Sequence, residues 1–258
     1  MKIKQTGQNG RLKSASGWIY GLNPVLEAIR AGRNIKGIYL SAARHDKTNS
    51  IRREAELKNI PVKIHPHGFF DSMFDKGHQG VAAEVSPREY SSLDELLAIP
   101  GKKNETPLYL ILDCLEDPRN LGALLRVSDA AGVHGIVLQS HRSVNLSASV
   151  SKVSAGAVEY VPVAMVVNIK HAIYEMKEKG ITIIGTEASA EKTLWNIDFT
   201  KPLALVIGSE GKGIRKTVRD LCDLKVSIPM RGRVNSLNVS VATGIFTFEI
   251  LRQRIINI

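Results

Sequence analysis

Cysteine is scarce in this chain, and long apolar runs are absent. Its two cysteines, Cys114 and Cys222, are too few for a disulfide framework and lack the spacing of metal-binding pairs. No segment approaches the roughly 20 consecutive apolar residues that cross a membrane, and the first residues lack the apolar core of a secretory signal. These absences exclude a disulfide-rich secreted scaffold and a membrane-spanning protein. We therefore expect a protein of the reducing cytoplasm, with both thiols in its core.

Acidic residues are outnumbered by basic ones. The 258 residues include 35 Lys and Arg against 25 Asp and Glu, which gives a net charge of +10. This excess favours a polyanionic partner, because Lys and Arg displace condensed counterions from phosphates. Since many cytosolic proteins are basic for other reasons, the charge alone is only a weak indication of nucleic acid.

The first 17 residues carry four basic side chains, no acidic one and almost no apolar periodicity. This composition predicts a disordered basic arm. A mitochondrial or plastid transit peptide is the alternative, because such peptides are also basic and free of acidic residues. The segment lacks their amphipathic stripe of arginine and leucine, so organellar import is the second interpretation.

The rest of the chain predicts two α/β domains. Residues 18–86 alternate between strand and helix patterns in a compact β-α-β-α-β unit. Residues 87–106 are polar and rich in proline, which predicts a linker that contains one short helix. Residues 107–258 contain apolar runs suited to buried parallel strands, separated by helical stretches. We therefore expect a mostly parallel sheet with helices on both faces.

Ligands of open α/β sheets bind at the carboxyl ends of the strands, and three loops there are rich in glycine and polar residues. The first runs from Asp113 into a helix and contains Asn120 and Arg126. Free backbone N–H groups at that helix start could bind an anion. Taken alone, Asn120 could equally be a helix cap and Arg126 a solvated residue.

The second loop is Gly208-Ser209-Glu210-Gly211-Lys212-Gly213, in which three glycines allow a tight turn and a close approach to a ligand. It is neither a P-loop nor a G-x-G-x-x-G fingerprint, which argues against an ATPase and an ordinary dinucleotide-binding enzyme. A glycine-rich turn whose Glu210 caps the next helix is the structural alternative.

The third loop extends from Arg231 to Ala242 and opens the final helix, which we predict over about 238–256. Ser236 and Asn238 can cap that helix and also face the strand ends. Arg231 and Arg233 are placed to contact phosphates. Helix capping alone would explain Ser236 or Asn235. It does not explain the whole polar run together with its flanking arginines.

Taken in this order, the three loops resemble the motifs of the SpoU (TrmH-type) branch of the SPOUT methyltransferases. The matching patterns are N-x-G-x-x-x-R at 120–126, G-S-E-G-x-G at 208–213 and S-L-N-V-S-V-A at 236–242. Residues 18–85 resemble the small L30e/L7Ae-like RNA-binding domain of bacterial 23S ribosomal RNA guanosine 2′-O-methyltransferases. The resemblance therefore covers the chain from residue 18 onward.

This resemblance implies a catalytic domain with a deep trefoil knot, one of the rare exceptions to un-knotted chains. It also implies S-adenosylmethionine as methyl donor, no metal, and a homodimer packed partly through the final helix, with the active site near the subunit interface. By position, the residues expected around the donor are Thr186, Gly208, Ser209, Gly211, Ile228, Met230 and Leu237.

The implied reaction is methylation of a ribose 2′-hydroxyl in RNA, and the catalytic residues expected from the resemblance are Asn120, Arg126, Glu210, Ser236 and Asn238. The family assigns Arg126 to removal of the hydroxyl proton, with help from an RNA phosphate. Because a free arginine side chain stays protonated near neutral pH, we favour a role in orienting that phosphate and stabilising the developing alkoxide. Whether Arg126 serves its own subunit or the partner stays open.

The resemblance favours a guanosine in the peptidyl-transferase loop of 23S ribosomal RNA as the acceptor, in the bacterial cytoplasm. Transfer RNA or another ribosomal site is the alternative within the enzyme class, and a noncatalytic RNA- or ribosome-binding protein is the alternative outside it. His65 and His67 form an H-x-H pattern without a neighbouring acidic or cysteine cluster in sequence, so we expect surface histidines rather than metal ligands.

Overall fold

A computed structural model describes residues 17–43, 48–141 and 143–256. The predicted basic arm lies outside these residues, except for Gly17. The chain divides into two compact units after Pro87. Within the described residues, the first unit contains a four-stranded sheet and the second a seven-stranded sheet. The expected α/β class is thereby confirmed.

The first unit confirms the predicted alternation and adds a strand at its start. Its elements are β1 (Trp18–Tyr20), α1 (Leu22–Arg30), β2 (Ile35–Ser41), α2 (Asn49–Leu57), β3 (Val62–His65), α3 (His67–Met73) and β4 (Val81–Val85). The sheet order is β1-β4-β2-β3, with β2 and β3 parallel and the other pairs antiparallel. The sequence analysis missed β1 because three residues are too few for a visible alternation.

Local chemistry sets the ends of α1. Gly21, at φ 100°, precedes the helix in a backbone conformation that an L-residue side chain resists. Gly32, at φ 73°, follows the last turn in the left-handed conformation that often ends helices. Val25 and Ile29, four residues apart, are buried on the face of α1 that joins the core of this unit.

The second unit alternates strands with helices as the pattern predicts. Its elements are α4 (Leu93–Leu97), α5 (Ile99–Lys103), β5 (Leu108–Leu112), α6 (Pro118–Ala130), β6 (Gly135–Gln139), α7 (Ala148–Val153), β7 (Val163–Val166), α8 (Ile169–Glu178), β8 (Thr182–Thr186), β9 (Lys192–Thr193), β10 (Leu203–Ile207), α9 (Lys216–Arg219), β11 (Leu224–Ser227) and α10 (Val239–Ile256). The two-residue strand β9 was not predicted. Helix α9 has only four residues.

All strand pairs of the second sheet are parallel, in the order β7-β6-β5-β10-β8-β11-β9. Every residue of β5 and β10 is buried, because helices cover both faces of the central strands. The chain builds outward from β5 to β7 and later returns to place β10 beside β5. The carboxyl ends of β5, β10, β8 and β11 are therefore consecutive along one edge, and the loops that follow them meet there.

The prediction of a linker over 87–106 is wrong, because this segment folds onto the second unit. Ser92 and Glu95 form a capping box that starts α4, and the bonds from Ser92 lower the pKa of Glu95. Leu96 is fully buried, and a Cβ atom on Gly135 would lie 2.5 Å from its Cδ1 atom. The polar, proline-rich composition reflects two short helices with exposed outer faces.

The two cysteines occupy different environments. Cys222 packs against the core of the second unit, and burial raises the pKa of its thiol to about 11. Cys114 is half-buried just after β5, at φ 59°. Both are free thiols.

Among the residues that the structure describes, no helix has the length and apolar character to cross a membrane.

Arg254 joins the end of α10 to two distant segments. Its guanidinium donates hydrogen bonds to the carbonyl oxygens of Thr106, Pro107, Phe199 and Lys201 at 2.6–3.1 Å. Burial lowers the pKa of Arg254 to about 10, so the group stays charged at neutral pH. Arg254 thus holds the last turn of α10 against the starts of β5 and β10.

We expect Arg254→Ala to destabilise the second unit by about 3 kcal/mol, because the carbonyls it binds lose buried donors. Urea denaturation followed by circular dichroism measures this loss. Arg119→Ala is the matched control, since the Arg119 side chain is 82% exposed and pairs with the nearby Asp117. An equal shift of the unfolding midpoint in both variants would contradict the structural role of Arg254.

Candidate active site

A cavity of about 720 Å³ lies at the carboxyl ends of β8, β10 and β11. This volume falls within the usual range of small-molecule sites. The segments that line it are 186–189, 207–214, 226–228 and 235–239, together with Arg219, Met230, Ala242, Thr243 and Phe246. The segments that follow β8, β10 and β11 and the first turns of α10 thus enclose one space.

The glycine loop 208–213 closes on itself beside β10. Ser209 N–H donates to the Gly213 carbonyl at 3.2 Å, and Gly213 N–H donates to the Ser209 carbonyl at 2.9 Å. A Cβ atom on Gly208 would lie 2.1 Å from the carbonyl carbon of Gly213, so no other residue fits there without moving the loop. Gly211 and Gly213 have φ values of 80° and 65°. Each position therefore requires glycine, for a steric reason at Gly208 and for a conformational reason at Gly211 and Gly213.

An ion pair between a buried carboxylate and a half-buried guanidinium fixes the far end of this loop. The side chain of Asp113, at the end of β5, is fully buried and accepts from the backbone N–H of Arg215 at 2.8 Å and from its Nε at 2.7 Å. The hydrogen bond to Asp113 raises the pKa of Arg215 above its ordinary value. The guanidinium also donates to Gln139 Oε1 at 2.7 Å. The ends of β5 and β6 are joined in this way to the segment that follows the glycine loop.

Asn238 connects all three predicted loops. Its Nδ2 donates to Glu210 Oε1 at 2.7 Å and to Asn120 Oδ1 at 3.4 Å. Its Oδ1 accepts from the backbone N–H of Ser240 at 3.0 Å and from the Ser240 hydroxyl at 2.6 Å, which caps α10. The expected cap at Asn238 is confirmed, and the same side chain brings Asn120 and Glu210 together.

Ten of the twelve site residues named from the sequence line the cavity. They are Thr186, Gly208, Ser209, Glu210, Gly211, Ile228, Met230, Ser236, Leu237 and Asn238. Asn120 reaches this group through Asn238. Thr186 has a further structural bond, since its hydroxyl donates to the Val206 carbonyl at 3.0 Å.

Arg126 does not line this cavity. It lies on α6, six residues after Asn120, which places it about 9 Å along the helix axis from Asn120. Its side chain is exposed and forms no hydrogen bond or ion pair with the described residues. In one copy of the chain, Arg126 is thus separate from the Asn120–Asn238–Glu210 cluster.

Two capping alternatives are wrong. Asp117, not Asn120, caps α6, because its Oδ1 accepts from the backbone N–H of Arg119 at 2.8 Å. Asn120 lies inside the first turn and is buried. Glu210 does not cap α9 but accepts the amide of Asn238. Both side chains therefore point to a shared polar cluster rather than to helix ends.

The sequence analysis missed two charged pairs around the cavity. Arg219 and Glu187 both line the cavity and form an ion pair at 3.0 Å. Asp113 and Arg215 form the ion pair described above. The sequence does mark Asp113 as unusual, because it is an acidic residue directly after a fully apolar strand. Nothing in the sequence pairs it with Arg215, which lies 102 positions later.

The rim of the site is basic. Lys212, Arg231 and Arg233 are exposed on the second and third loops. Arg119 is exposed on the first turn of α6, and its pKa is raised by its bond to Asp117. These charges face solvent around a cavity, which is an arrangement suited to phosphate contacts.

Among the described residues of the first unit, His67 and His78 lie beside Asp71, although the hydrogen bonds of His78 do not suit a metal ligand. His67, Asp71 and His78 place ligand-type atoms within 4.8 Å of one another. However, His78 Nδ1 accepts the backbone N–H of Gly80 at 3.0 Å, so the neutral ring carries its proton on Nε2, which faces Asp71 Oδ1 at 3.1 Å. A metal-binding histidine instead donates from its second nitrogen. His65 stacks on Phe69 with ring centroids 4.5 Å apart.

Comparison with known proteins gives a match for each unit. The model of the SpoU rRNA methylase family matches residues 107–248, and the model for RNA 2′-O ribose methyltransferase substrate binding matches residues 18–91. A protein named as a TrmH family tRNA/rRNA methyltransferase, YacO of Bacillus subtilis, is 42% identical over 92% of this chain and 96% of its own length.

Solved structures agree with the fold. The SpoU methyltransferase AviRb of Streptomyces viridochromogenes, solved with AdoMet, has a TM-score of 0.78 at 24% identity, covering 92% of this chain and 90% of that one. An AdoMet-bound rRNA methyltransferase of Sinorhizobium meliloti has a TM-score of 0.72 at 26% identity, covering 91% and 86%.

The two matched regions define an RNA methyltransferase in which a substrate-binding domain precedes a catalytic domain. The chain belongs to the SpoU, or TrmH-type, family of RNA methyltransferases. The resemblance seen in its three loops is confirmed at the level of the family.

Proposed function

We propose that this enzyme transfers a methyl group from S-adenosylmethionine to a ribose 2′-hydroxyl of RNA. The observation that carries the proposal is the meeting of the three motif loops at Asn238. The second and third loops line the cavity, and Asn238 of the third binds both Asn120 of the first and Glu210 of the second. The membership of the SpoU family and the match of the first unit to a 2′-O ribose substrate-binding model support it.

The cavity fits the methyl donor. S-adenosylmethionine is the cofactor, and its sulfonium group supplies the methyl when bound. The backbone of Gly208–Gly213 can approach a ligand closely because no Cβ atoms stand at its glycines. Ile228, Leu237 and Met230 contribute apolar surface, while Ser209 and Thr186 add polar atoms. The walls are thus mixed, as an amphipathic nucleoside ligand requires.

The polar cluster beside the cavity positions the acceptor ribose. Asn120 and Asn238 offer amide groups, Glu210 accepts hydrogen bonds, and Ser236 is exposed at the edge of the cavity. Fixing the hydroxyl in attack geometry removes much of the entropic part of the barrier. Arg126 holds an RNA phosphate near the hydroxyl and stabilises the developing negative charge on its oxygen.

We infer a homodimer from the outer face of α10. Val241, Phe248 and Ile255 are 49–59% exposed and lie seven residues apart, so they form an apolar stripe on one side of this helix. The opposite side is buried against the same unit. A helix that is apolar on both sides is usually covered on both sides.

The same dimer accounts for the position of Arg126. Helix α6 packs against α10, where a Cβ atom on Gly244 would lie 4.0 Å from Val127. Arg126 is the neighbour of Val127 in sequence, so it lies on a helix that borders the apolar stripe. We propose that Arg126 completes the active site of the partner subunit. The proposed trefoil knot of the catalytic domain would keep this surface rigid.

For the substrate, we propose a guanosine in the peptidyl-transferase loop of 23S ribosomal RNA, in the bacterial cytoplasm. The close resemblance of segments 117–135 and 236–245 to that subgroup supports this choice, and the relative from S. meliloti is named as an rRNA methyltransferase. Transfer RNA is the alternative acceptor, since the relative from B. subtilis is named for both.

Incubating the purified enzyme with labelled S-adenosylmethionine and total RNA from bacteria that lack it tests the substrate. We expect label on one ribose of 23S ribosomal RNA, located by resistance of the adjacent phosphodiester bond to alkali. Label on transfer RNA alone would reject the ribosomal target but keep the reaction. Label on a base would reject ribose methylation itself.

We expect Arg126→Ala to lower the methylation rate at least a hundredfold while calorimetry finds nearly unchanged donor affinity, because Arg126 lies outside the cavity. Gly208→Ala is the reciprocal control. Its added Cβ displaces the glycine loop, so donor affinity falls first. Mixed dimers of the Arg126→Ala and Gly208→Ala chains should regain activity. Full activity of Arg126→Ala alone would refute its catalytic role.

We expect Phe248→Glu to give a monomer, because a charge at the centre of the apolar stripe cannot be buried without a partner. Light scattering and analytical ultracentrifugation measure the mass. Trp195→Glu is the control, since Trp195 is another exposed large side chain, at 57%, outside α10. A Phe248→Glu chain that stays dimeric would place the interface elsewhere.

A further inference from the structure

The two faces of the first sheet differ in chemistry. On one face, aliphatic residues of β2 and β4, among them Ile38, Leu40 and Val81, pack with α1 and α2. The opposite face carries Trp18 and Tyr20 of β1 and Tyr39 of β2, because side chains alternate along a strand. The short helix α3 lies over this second face.

All the Phe, Tyr and Trp residues of the first unit gather on this second face. Tyr20, Phe70 and Phe74 are buried there, and Tyr20 stacks on Phe74 at 5.1 Å. These three rings form a small core beneath α3. Their presence explains how α3 is held, but it does not account for the rings at its edge.

Four further rings are half-buried at the edge of this core. Trp18 lies 4.9 Å from Tyr39 between centroids, Tyr39 stacks on Phe69 at 5.9 Å, and Phe69 stacks on His65 at 4.5 Å. We name Trp18, Tyr39, His65 and Phe69 the aromatic platform. Its members retain solvent-exposed surface, unlike the core rings.

Positive charge borders the platform. Lys63 Nζ lies 5.5 Å from the centroid of the Tyr39 ring and is exposed. Glu84 lies opposite Trp18 on the neighbouring strand. It is paired with Lys36, whose Nζ lies 3.4 Å from its carboxylate and whose side chain is 63% exposed. Just before Trp18, the sequence of residues 1–17 has four basic side chains and no acidic one.

We propose that the aromatic platform is a binding site for unpaired bases of the RNA substrate, which stack on Trp18 while Lys36 and Lys63 contact the adjoining phosphates. The inference rests on the proposed function, which makes RNA the substrate. Flat rings take bases by stacking, and Lys side chains beside them neutralise the backbone. An acidic or aliphatic protein segment would match either the charge or the rings, but not both.

The site implies which part of the RNA the first unit reads. Stacking requires bases that are not already paired, so the platform recognises a loop, a bulge or a strand end rather than a continuous duplex. It does not require a particular sequence, because every base presents a π face. The first unit would therefore select RNA shape, and the catalytic unit would select the nucleotide.

The two tryptophans of the chain, Trp18 and Trp195, provide a direct test. In a full-length Trp195→Leu chain, Trp18 is the sole tryptophan and the platform is unaltered. We expect a short single-stranded oligouridylate to quench its fluorescence, and an RNA duplex of equal length to quench it much less. Equal quenching by both, or none by either, would overturn the proposal.

Affinity measurements extend the test. By fluorescence anisotropy with the same labelled oligouridylate, we expect Trp18→Leu to bind about tenfold more weakly and Trp195→Leu to bind normally. Lys36→Ala with Lys63→Ala should weaken binding and flatten its salt dependence by about two phosphate contacts. Arg30→Ala with Arg53→Ala is the charge-matched control, since both side chains are exposed on α1 and α2, on the unit's other face.

The outcomes separate this proposal from the proposed function. If the enzyme methylates ribose but Trp18 neither quenches nor affects affinity, the platform is refuted and the reaction stands. If Trp18 responds to single-stranded RNA while no ribose is methylated, the platform stands and the reaction is refuted. Quenching by an acidic peptide but not by RNA would refute the platform as an RNA site.

Discussion

The arrangement of the catalytic unit depends on the buried carboxylate of Asp113. It stands at the end of β5 with no exposed surface and accepts two hydrogen bonds from Arg215, which follows the glycine loop. A buried charge is tolerable only when it is paired and fully hydrogen-bonded. The glycine loop therefore cannot move away from β5 without leaving that charge unpaired.

This constraint lets a flexible sequence form a defined cavity. Three glycines in six residues have more unfolded conformations to lose than any other segment of that length. The loop is nevertheless held at both ends, at Gly208 by β10 and at Arg215 by Asp113, and the Ser209–Gly213 bonds close its middle. Because β8 and β11 follow β10 in the sheet, the loops after these strands lie at the same edge and form the remaining walls of the cavity.

The sequence allowed most strands, the parallel class and ten of the residues that line the cavity to be predicted, because each depends on local pattern or on a recognisable motif. Gly208 belongs to such a motif, and its steric reason became visible only in the turn it makes with Gly213. The role of Asn238 as the link between Asn120 and Glu210 depends on residues 118 and 28 positions away. No local pattern encodes such pairs. The prediction for 87–106 failed for another reason, since its buried residues, Leu96 and Pro100, are few within a polar stretch.

The chain divides its tasks between backbone and side chains. Around the cavity, the glycine loop forms one wall, so the proposed donor binding tolerates little change in main-chain geometry there. In the first unit, the proposed recognition rests on half-buried rings and exposed lysines carried by a sheet that aliphatic residues stabilise from the other side. Substitutions on the aromatic platform can therefore change which RNA is bound without disturbing the donor site. A common catalytic unit could in this way serve different RNA substrates, with the acceptor chosen by the preceding domain.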